Sequence, residues 1–338
     1  MVNLHFIVVN HNRYSRAAVR SIKTRGGIVA LLGRGGAVVS GEAISGRLGI
    51  SRVSVWKHIH KLQAAGYRIE STPKGYRLLD WPDNPYPWAI PGREGLVHHF
   101  SEVVSTMEIA REMARAGCPA LTTVVADRQT GGRGRLRRPW VSEAGGLYFT
   151  VVTRPEVGPQ QSGRANLAAS VVLAQVLSDQ YGIAARVKWP NDILAAGGKL
   201  AGLLSEMDAE ADRVSFVNIG IGVNVNNVPP PVASGAVSIR QILEEAVSRT
   251  ELLAGFLDRF QARMAAGLGA ELIGEWKAVN ATLGRQVKVV TTRQQVEGTA
   301  VDVDENGALI VETPAGGRQT VFYGDCFHIG KGASAFSD

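Results

Sequence analysis

The sequence predicts an α+β protein with three parts: an N-terminal winged helix-turn-helix, a central α/β part with a mixed sheet, and a small C-terminal β-barrel. Three observations support this division. Basic charge is concentrated in the first quarter of the chain, a proline-rich segment follows at residues 81–95, and turn clusters separate short strand-like runs near the C-terminus. Between these ends helical and strand-like patterns alternate, which is typical of an α/β layer.

The composition is that of a globular protein. The chain has 338 residues, of which 45% are hydrophobic and 20% charged, so it can bury the cores of two or three domains. No stretch approaches the roughly 18 apolar residues of a membrane helix. Two cysteines cannot build a disulfide framework. These features predict a soluble, cytoplasmic protein with no membrane partner.

The charge is divided unevenly along the chain. Residues 1–80 carry thirteen Lys or Arg against three acidic residues, a net charge of +10, whereas the remaining residues carry a net charge of −3. A basic N-terminal part indicates a polyanionic partner, of which DNA is the foremost candidate. Composition alone leaves open the alternative of a solvated basic face without a partner.

The pattern of the basic part is that of a helix-turn-helix. A first helix is expected to end at Gly33. Ser40 is a suitable N-cap for a short helix that ends at Gly49, and Ser51 is a suitable N-cap for a second helix that ends at Gly66. Two short helices joined by a turn that contains glycine are the signature of this motif.

The last of these helices has an apolar and a polar face. Val55, Ile59 and Leu62 recur at helical spacing and should be core. A hairpin wing follows, with Lys74 at its tip. The alternative is a small packing module whose lysines only keep it soluble, but pattern and charge together favour DNA binding. The candidate DNA-binding residues are Arg52, Ser54, Lys57, His58, Lys61 and Lys74.

A loop rich in glycine and arginine lies between two predicted strands of the central part. Residues 127–140 contain three glycines and five arginines. Glycine allows backbone N–H groups to approach an anion, and arginine supplies forked donors for phosphate or carboxylate. The loop lacks the third glycine of a dinucleotide fingerprint, and the chain has no P-loop. A basic surface loop remains the alternative on these grounds alone.

Two further polar segments interrupt apolar sequence in the central part. Residues 188–192 read Lys-Trp-Pro-Asn-Asp, and residues 197–202 place Lys199 after two glycines. Buried polar groups are costly without partners, so both segments are candidates for a site. Trp189 fits a core position as well as a site.

The C-terminal part predicts a small antiparallel barrel. Strand-like runs at 286–290, 296–303, 308–312 and 320–323 alternate with turn clusters. No catalytic chemistry is visible in these runs.

Taken in order, these segments resemble the bacterial biotin–protein ligases that carry an N-terminal DNA-binding domain. The resemblance covers residues 21–330 and extends to the Ser51-Arg52 start of the second helix of the motif. The matching segments are Ser105-Thr106, residues 132–135 with Trp140, Lys188 to Asp192, Lys199 to Gly202, and Gly222 to Asn224.

The resemblance implies a fold and a division of the chain. The central part is expected to be related to class II aminoacyl-tRNA synthetases, and the C-terminal part is expected to be an SH3-like barrel. The implied domains are a winged helix-turn-helix at 21–80, a linker at 81–95, a catalytic domain at 96–280 and a C-terminal domain at 281–331.

The resemblance also implies a reaction. Biotin and ATP would form biotinyl-5′-AMP with Mg²⁺, and biotin would pass to a lysine of a biotin carboxyl carrier domain. A homodimer that holds the adenylate would then repress transcription at a palindromic operator in double-stranded DNA.

Roles carry over by position. Lys199 would bridge carboxylate and phosphate, while Arg133 and Arg135, on either side of Gly134, would clamp the adenylate. Asp192 would help to place Mg²⁺ or ATP. Lys199 and Arg135 are the implied catalytic residues. The other implied ligand contacts are Ser105, Thr106 and Gln129 with the biotin rings, Trp140 as a wall of the pocket, and Asn224 with adenine.

Two positions depart from the family pattern. Met107 stands where the family usually has Asn, so a contact there must come from the backbone. Arg137 stands where the loop usually continues with Gly, which alters the expected loop conformation.

Three alternatives to this assignment remain open. A lipoate–protein ligase would share the general fold, and a DNA-binding sensor of biotinyl-AMP could lack transfer activity. The helix-turn-helix could also be vestigial.

Overall fold

The computed structural model describes residues 16–33, 35–229 and 235–329. The chain divides into two compact units, with the boundary between His99 and Phe100. The predicted linker at 81–95 therefore lies within the first unit. Residues 330 and 331 of the predicted C-terminal domain lie outside the described residues, as do residues 1–15.

The first unit contains a helix-turn-helix followed by a hairpin. Its elements are α1 Arg16–Leu32, α2 Gly41–Leu48, α3 Arg52–Ala64, β1 Arg68–Thr72 and β2 Gly75–Asp80. Both predicted N-caps are confirmed, because the side chain of Ser40 accepts from the amide of Ala43 and that of Ser51 accepts from the amide of Ser54. Gly49 adopts the left-handed conformation that ends α2.

The core of the first unit is formed by the predicted apolar face of α3. Val55, Ile59 and Leu62 are buried, and Ile28 of α1 and Ile44 of α2 belong to the same cluster. Burying side chains of this size stabilises such a unit by about 1.5–3 kcal/mol each.

The wing is fixed to the helices through its turn. β1 and β2 pair antiparallel with Thr72 opposite Gly75, and Lys74 is exposed in the turn as predicted. Val39 and Tyr76 exchange two backbone hydrogen bonds of 2.9 Å. A Cβ on Gly75 would lie 2.2 Å from the carbonyl oxygen of Val39, so only glycine fits this close approach.

The second unit contains two sheets. Its elements are β3 Val97–Val103, which crosses the boundary, α4 Thr106–Arg115, β4 Thr123–Gln129, β5 Leu147–Thr153, α5 Gly163–Tyr181, β6 Arg186–Lys188, β7 Asp192–Ala195, β8 Gly198–Glu210, β9 Arg213–Val223, α6 Ile239–Leu243, α7 Arg249–Ala265, α8 Ala270–Val279, β10 Gln286–Val290, β11 Gln295–Val303, β12 Leu309–Glu312, β13 Arg318–Val321 and β14 Asp325–Ile329. No described helix is long and apolar enough to cross a membrane.

The larger sheet has seven described strands in the order β3-β4-β5-β9-β8-β7-β6. The pairs β4–β5, β5–β9, β9–β8, β8–β7 and β7–β6 are antiparallel. Helix α5 is apolar on most sides and contacts α7, α8 and this sheet, with its residues from Ala165 to Ala174 all buried. The 13-residue strand β8 was not predicted, because its glycine-rich start indicated a turn.

The C-terminal sheet has five described strands in the order β13-β12-β11-β10-β14, all in antiparallel pairs. The four predicted strands are present, and the fifth, β14, was missed. The α+β class with an N-terminal helix-turn-helix, a central sheet and a C-terminal antiparallel sheet is therefore confirmed.

Trp189 joins the C-terminal sheet to the larger one. Its side chain is only 2% exposed, and its indole Nε1 donates to the carbonyl oxygen of Gly307 at 2.9 Å. Its amide donates to Oγ1 of Thr282 at 2.9 Å. The structure thus places Trp189 in the core, where its single ring donor is satisfied.

Candidate functional site

A cavity of about 570 Å³ in the second unit brings the predicted ligand-binding residues together. Strands β8 and β9 form its floor, and the arginine-rich loop forms one side. All eleven candidates line this cavity, namely Ser105, Thr106, Met107, Gln129, Arg133, Gly134, Arg135, Trp140, Asp192, Lys199 and Asn224.

The floor of the cavity is flat because it is made of glycine. Gly202 of β8 lies opposite Gly222 of β9 in the sheet. The indole of Trp140 rests on this pair, since a Cβ on Gly222 would lie 2.4 Å from its Nε1 and a Cβ on Gly202 would lie 3.1 Å from its Cζ3. A side chain on either strand would therefore displace the ring. This Nε1 is buried against the sheet without a hydrogen-bond partner.

The side chain of Met107 packs against a third glycine, Gly220 of β9, as the indole packs against the other two. The Met107 side chain is 4% exposed, and a Cβ on Gly220 would lie 2.8 Å from its Sδ. The departure at this position therefore fills space above β9 with a flexible thioether.

The polar end of the cavity is a network around Gln129. Its Oε1 accepts from the amide of Thr106 at 2.9 Å and from the hydroxyl of Thr106 at 3.2 Å, and its Nε2 donates to Oγ of Ser142 at 2.9 Å. The Thr106 hydroxyl also lies 2.8 Å from that of Thr150. These bonds fix the amide of Gln129 in one orientation.

The spacing of Ser105 and Glu108 predicts a capping box at the start of α4, but the structure contradicts this prediction. Ser105 stands at the N-cap position of α4, but its side chain binds no helix amide. Glu108, the expected reciprocal partner, instead lies 3.8 Å from Arg133 in an ion pair. The attraction of a loop arginine replaces the local cap.

Lys199 and Asp192 form an ion pair inside the cavity. Nζ of Lys199 lies 2.8 Å from Oδ1 of Asp192, and both side chains are partly exposed. The two residues come from the neighbouring strands β7 and β8. The same Nζ lies 5.3 Å from the centre of the Trp140 ring, within the range of a cation–π contact. Asp192 thus holds the ammonium group of Lys199 in place beside the Trp140 ring, above the glycine floor.

The carboxylates of the cavity fit a magnesium ion only in part. Among the described residues no group of three or more His, Cys, Asp or Glu could hold a metal ion. Mg²⁺ is commonly bound through one or two carboxylates together with substrate phosphates. Asp192 can supply one such ligand.

The arginine-rich loop takes a conformation that favours glycine. Leu136 and Arg137 have φ values of 52° and 60°. A left-handed conformation costs an ordinary residue about 1–2 kcal/mol. Arg137 therefore departs from the family pattern at a position where glycine would be less strained.

The loop is held on two sides. Arg133 contacts Glu206 of β8 at 3.2 Å, and Arg135 donates to the carbonyl oxygen of Gly324 at 2.9 Å. Arg138 lies 2.7 Å from Asp325. Burial lowers the pKa of the Arg135 guanidinium, an effect that the charges of Asp325 and Asp192 oppose.

The C-terminal sheet therefore contributes to the cavity. Asp325 and Phe327 of β14 both line it. The sequence showed no chemistry in this part, and its pattern did not reveal β14. An acidic residue between Gly324 and Cys326 was the only available signal.

Asn224 is fixed at the end of β9. Its side chain is 5% exposed, and its Oδ1 accepts from Nδ2 of Asn227 at 3.0 Å. Its amide donates to the carbonyl oxygen of Leu200 at 3.0 Å. A buried side-chain amide with a fixed orientation can form hydrogen bonds with a planar polar ligand.

The exposed face of α3 differs from the predicted one. Arg52, Lys57 and Lys61 are exposed as expected. Ser54 and His58 are only partly exposed, so they lie closer to the core than predicted. Nδ1 of His58 is buried without a partner, and burial lowers the pKa of this imidazole. The helix turns Val53, Trp56 and His60 outward instead.

Three family descriptions match the chain. The Biotin/lipoate A/B protein ligase family matches residues 100–226, and the Biotin protein ligase C terminal domain matches residues 282–329. The HTH domain matches residues 27–77.

Curated relatives match over most of their length. The bifunctional ligase/repressor BirA of Bacillus subtilis (strain 168) is 35% identical over 300 residues, which cover 83% of this chain and 91% of the relative. The protein of the same name from Escherichia coli (strain K12) is 29% identical over 296 residues, 84% of this chain and 91% of the relative. The biotin–[acetyl-CoA-carboxylase] ligase of Paracoccus denitrificans is 36% identical over 208 residues, 59% of this chain and 86% of the relative.

A solved structure agrees with these relatives. The biotin protein ligase from Aquifex aeolicus in complex with biotin and ATP matches with a TM-score of 0.59 and 27% identity, covering 70% of this chain and 99% of that chain. Since the Bacillus subtilis relative is 35% identical across 91% of its own length, the protein belongs to the family of bifunctional biotin–protein ligases and repressors.

Proposed function

We propose that this protein is an ATP-dependent biotin–protein ligase that also acts as a transcriptional repressor. It forms biotinyl-5′-AMP from biotin and ATP and passes the biotin to a lysine of a biotin carboxyl carrier domain. The observation that carries the proposal is the ion pair of Lys199 and Asp192 in a cavity lined by every predicted ligand-binding residue.

The first step joins two anions. A carboxylate oxygen of biotin attacks the α-phosphorus of ATP, and the bond from this phosphorus to the bridging oxygen breaks, which releases pyrophosphate. Cations fixed in advance lower the barrier, because they stabilise the charge that develops at the phosphate. We assign this role to Lys199, Arg133 and Arg135.

The second step transfers biotin. The neutral amine of the acceptor lysine attacks the acyl carbon of the adenylate, an amide forms, and AMP leaves. Before this step the mixed anhydride must be kept from water. The arginine-rich loop and the indole of Trp140 are the groups we propose to cover it.

The remaining contacts are assigned by position in the cavity. Ser105, Thr106 and Gln129 would bind the ring system of biotin, with the backbone of Met107 beside them. Asn224 would contact adenine. Asp192 would bind Mg²⁺ together with the phosphates of ATP, and the ion would neutralise part of their charge.

The first unit would carry the repressor function. Arg52, Lys57, Lys61 and Lys74 are exposed on α3 and the wing, which suits contacts with phosphates of operator DNA. We propose that the protein acts as a homodimer when it holds the adenylate, since two copies related by a twofold axis would match a palindromic operator. ATP and chromosomal DNA are both cytoplasmic, so we place the protein there.

We also propose the predicted domain division for this function. Residues 21–80 would bind DNA, 81–95 would be the linker, 96–280 would hold the reaction, and 281–331 would complete the site. Matches at residues 27–77, 100–226 and 282–329 support this division.

A transfer assay tests the enzymatic part. The full chain is mixed with ATP, Mg²⁺, biotin and a purified biotin carboxyl carrier domain, and biotinylated carrier is measured. Lys199→Ala is expected to lower the rate about 100-fold or more. Lys288→Ala is the matched control, because this lysine lies on the C-terminal sheet 4.0 Å from Glu297 and does not line the cavity.

Two outcomes contradict the proposal. Absence of both adenylate and biotinylated carrier in the unmodified protein would exclude a ligase. Preference for lipoate in a competition between the two acids would change the substrate.

A further inference from the structure

The outer face of α3 carries apolar as well as basic side chains. Val53 is 63% exposed and Trp56 is 53% exposed. Together with Lys57 and His60 they stand at spacings of three and four residues, so they share one face of the helix. Single exposed apolar side chains are ordinary on protein surfaces. This group is distinguished by its place on the second helix of a helix-turn-helix.

The indole of Trp56 has a preferred orientation. Its ring lies 4.2 Å from the ring of His60, measured between centroids, at an interplanar angle of 72°. This edge-to-face contact restricts the indole and keeps its other surface toward solvent. A large apolar side chain held in this way loses little conformational entropy when it binds.

The surroundings of this face identify its partner as DNA. Arg52, Lys57 and Lys61 are exposed on the same helix, and Lys74 is exposed on the wing. The first 80 residues carry thirteen basic against three acidic side chains. A protein partner would need acidic groups around an apolar centre, whereas DNA supplies phosphates on both sides of a groove that admits a helix.

Within the major groove, one apolar group is available to such a face. The C5-methyl of thymine projects into the groove, and the other features of the base edges are hydrogen-bond donors and acceptors. The valine side chain and the face of the indole can pack against methyl groups. They form no hydrogen bonds with the carbonyl and amino groups of the bases.

We propose that Val53 and Trp56 read thymine methyl groups in each half of the operator, and that they are specificity-determining residues of this protein. The inference rests on the proposed repressor function and deepens it. It assigns sequence reading to the apolar residues of α3, while the lysines bind phosphates without sequence preference.

The test uses deoxyuridine, which differs from thymidine only by the missing methyl. The full chain with biotin and ATP selects duplexes from a random DNA library, and the selected duplex is then made with single thymidines replaced by deoxyuridine. Losing a buried methyl is expected to weaken binding of the unmodified protein about fourfold at each contacted position. Trp56→Ala is expected to bind the thymidine and deoxyuridine duplexes equally at the position that the indole contacts.

A matched variant controls for general effects. Trp81→Ala removes a tryptophan of the same unit that is 41% exposed and lies outside α3, and it should keep the full preference for thymidine. Thermal unfolding of both variants is measured to check that each is folded; Trp56→Ala is expected to be folded because the Trp56 side chain is not part of the core.

Failure of the inference and failure of the proposed function give different results. If the unmodified protein enriches no sequence and binds DNA without dependence on salt, the repressor function fails and the inference with it. If it enriches a site but deoxyuridine costs nothing at any position, DNA binding stands and the inference is overturned. The inference is also overturned if deoxyuridine weakens binding of Trp56→Ala as much as it weakens binding of the unmodified protein at each position.

Discussion

Arg138 of the arginine-rich loop and Asp325 of β14 form an ion pair in which Nη2 lies 2.7 Å from Oδ2. The Asp325 side chain is 16% exposed and that of Arg138 is 63% exposed, so the carboxylate is shielded from water while the guanidinium is not. The neighbouring hydrogen bond from Arg135 to Gly324 acts in the same direction. Together they connect the loop beside the cavity to the C-terminal sheet.

Weakening this contact is expected to shorten the lifetime of the bound adenylate. Asp325→Asn removes the charge that holds Arg138, so the loop opens more often. We expect biotinyl-AMP to dissociate about three- to tenfold faster, a change of roughly 1 kcal/mol. A chase of labelled adenylate by unlabelled ligand measures this rate.

The control for this variant is Asp302→Asn. Asp302 belongs to the same sheet, and its Oδ1 lies 2.6 Å from Nζ of Lys277, but it does not line the cavity. It should leave the dissociation rate unchanged. Equal rates in Asp325→Asn and the unmodified protein would show that β14 does not restrain the loop.

The glycine floor predicts a second effect. A Cβ at residue 222 would lie 2.4 Å from Nε1 of Trp140, so Gly222→Ala must displace the indole. We expect the Kd for biotinyl-AMP to rise at least about tenfold, because the wall of the pocket is moved. Calorimetric titration measures it. Gly274→Ala, in a helix where nothing lies within 4 Å of the added methyl, should bind normally.

His328 predicts a dependence of stability on pH. Burial lowers the pKa of His328 to about 4 from its usual 6.5, and the charges of Lys188 and Arg285 add to this effect. Between pH 4 and 6.5 the unfolded chain therefore binds up to one more proton at this residue than the folded protein. Stability contributed by neutral His328 is thus present above pH 6.5 and is lost as the pH falls toward 4.

His328→Gln removes this titration. Urea unfolding midpoints measured at pH 4.5 and pH 7 should differ less in the variant than in the unmodified protein. An unchanged pH dependence would mean that other groups account for the acid sensitivity.

Lys57 predicts a dependence of DNA binding on salt. Lys57→Ala should weaken binding to all sequences alike and reduce the slope of log K against log salt by about one, because one phosphate contact is lost. Fluorescence anisotropy at several salt concentrations measures the slope. Lys23→Ala on α1, an exposed lysine of the same unit outside α3 and the wing, should keep the original slope.

Local features of the first unit could be predicted because they depend on neighbours in sequence. An N-cap such as Ser51 bonds to an amide three residues away, and the buried stripe of Val55, Ile59 and Leu62 follows from helical spacing. The direction of a side chain such as His58 could not be predicted as well, because a shift of one position around a helix decides whether it meets the core or solvent.

The sequence by itself determined the class of protein, the basic first unit and the residue types of the ligand site, because charge, caps and short motifs are written in consecutive positions. Only the tertiary structure decided that Trp140 lies on two glycines from different strands, and that Asp325 reaches the loop. Arg135 and Gly324 are 189 positions apart, and such contacts depend on how strands pair and sheets pack. No local pattern encodes that arrangement, since it minimises the free energy of the whole unit and not of any one segment.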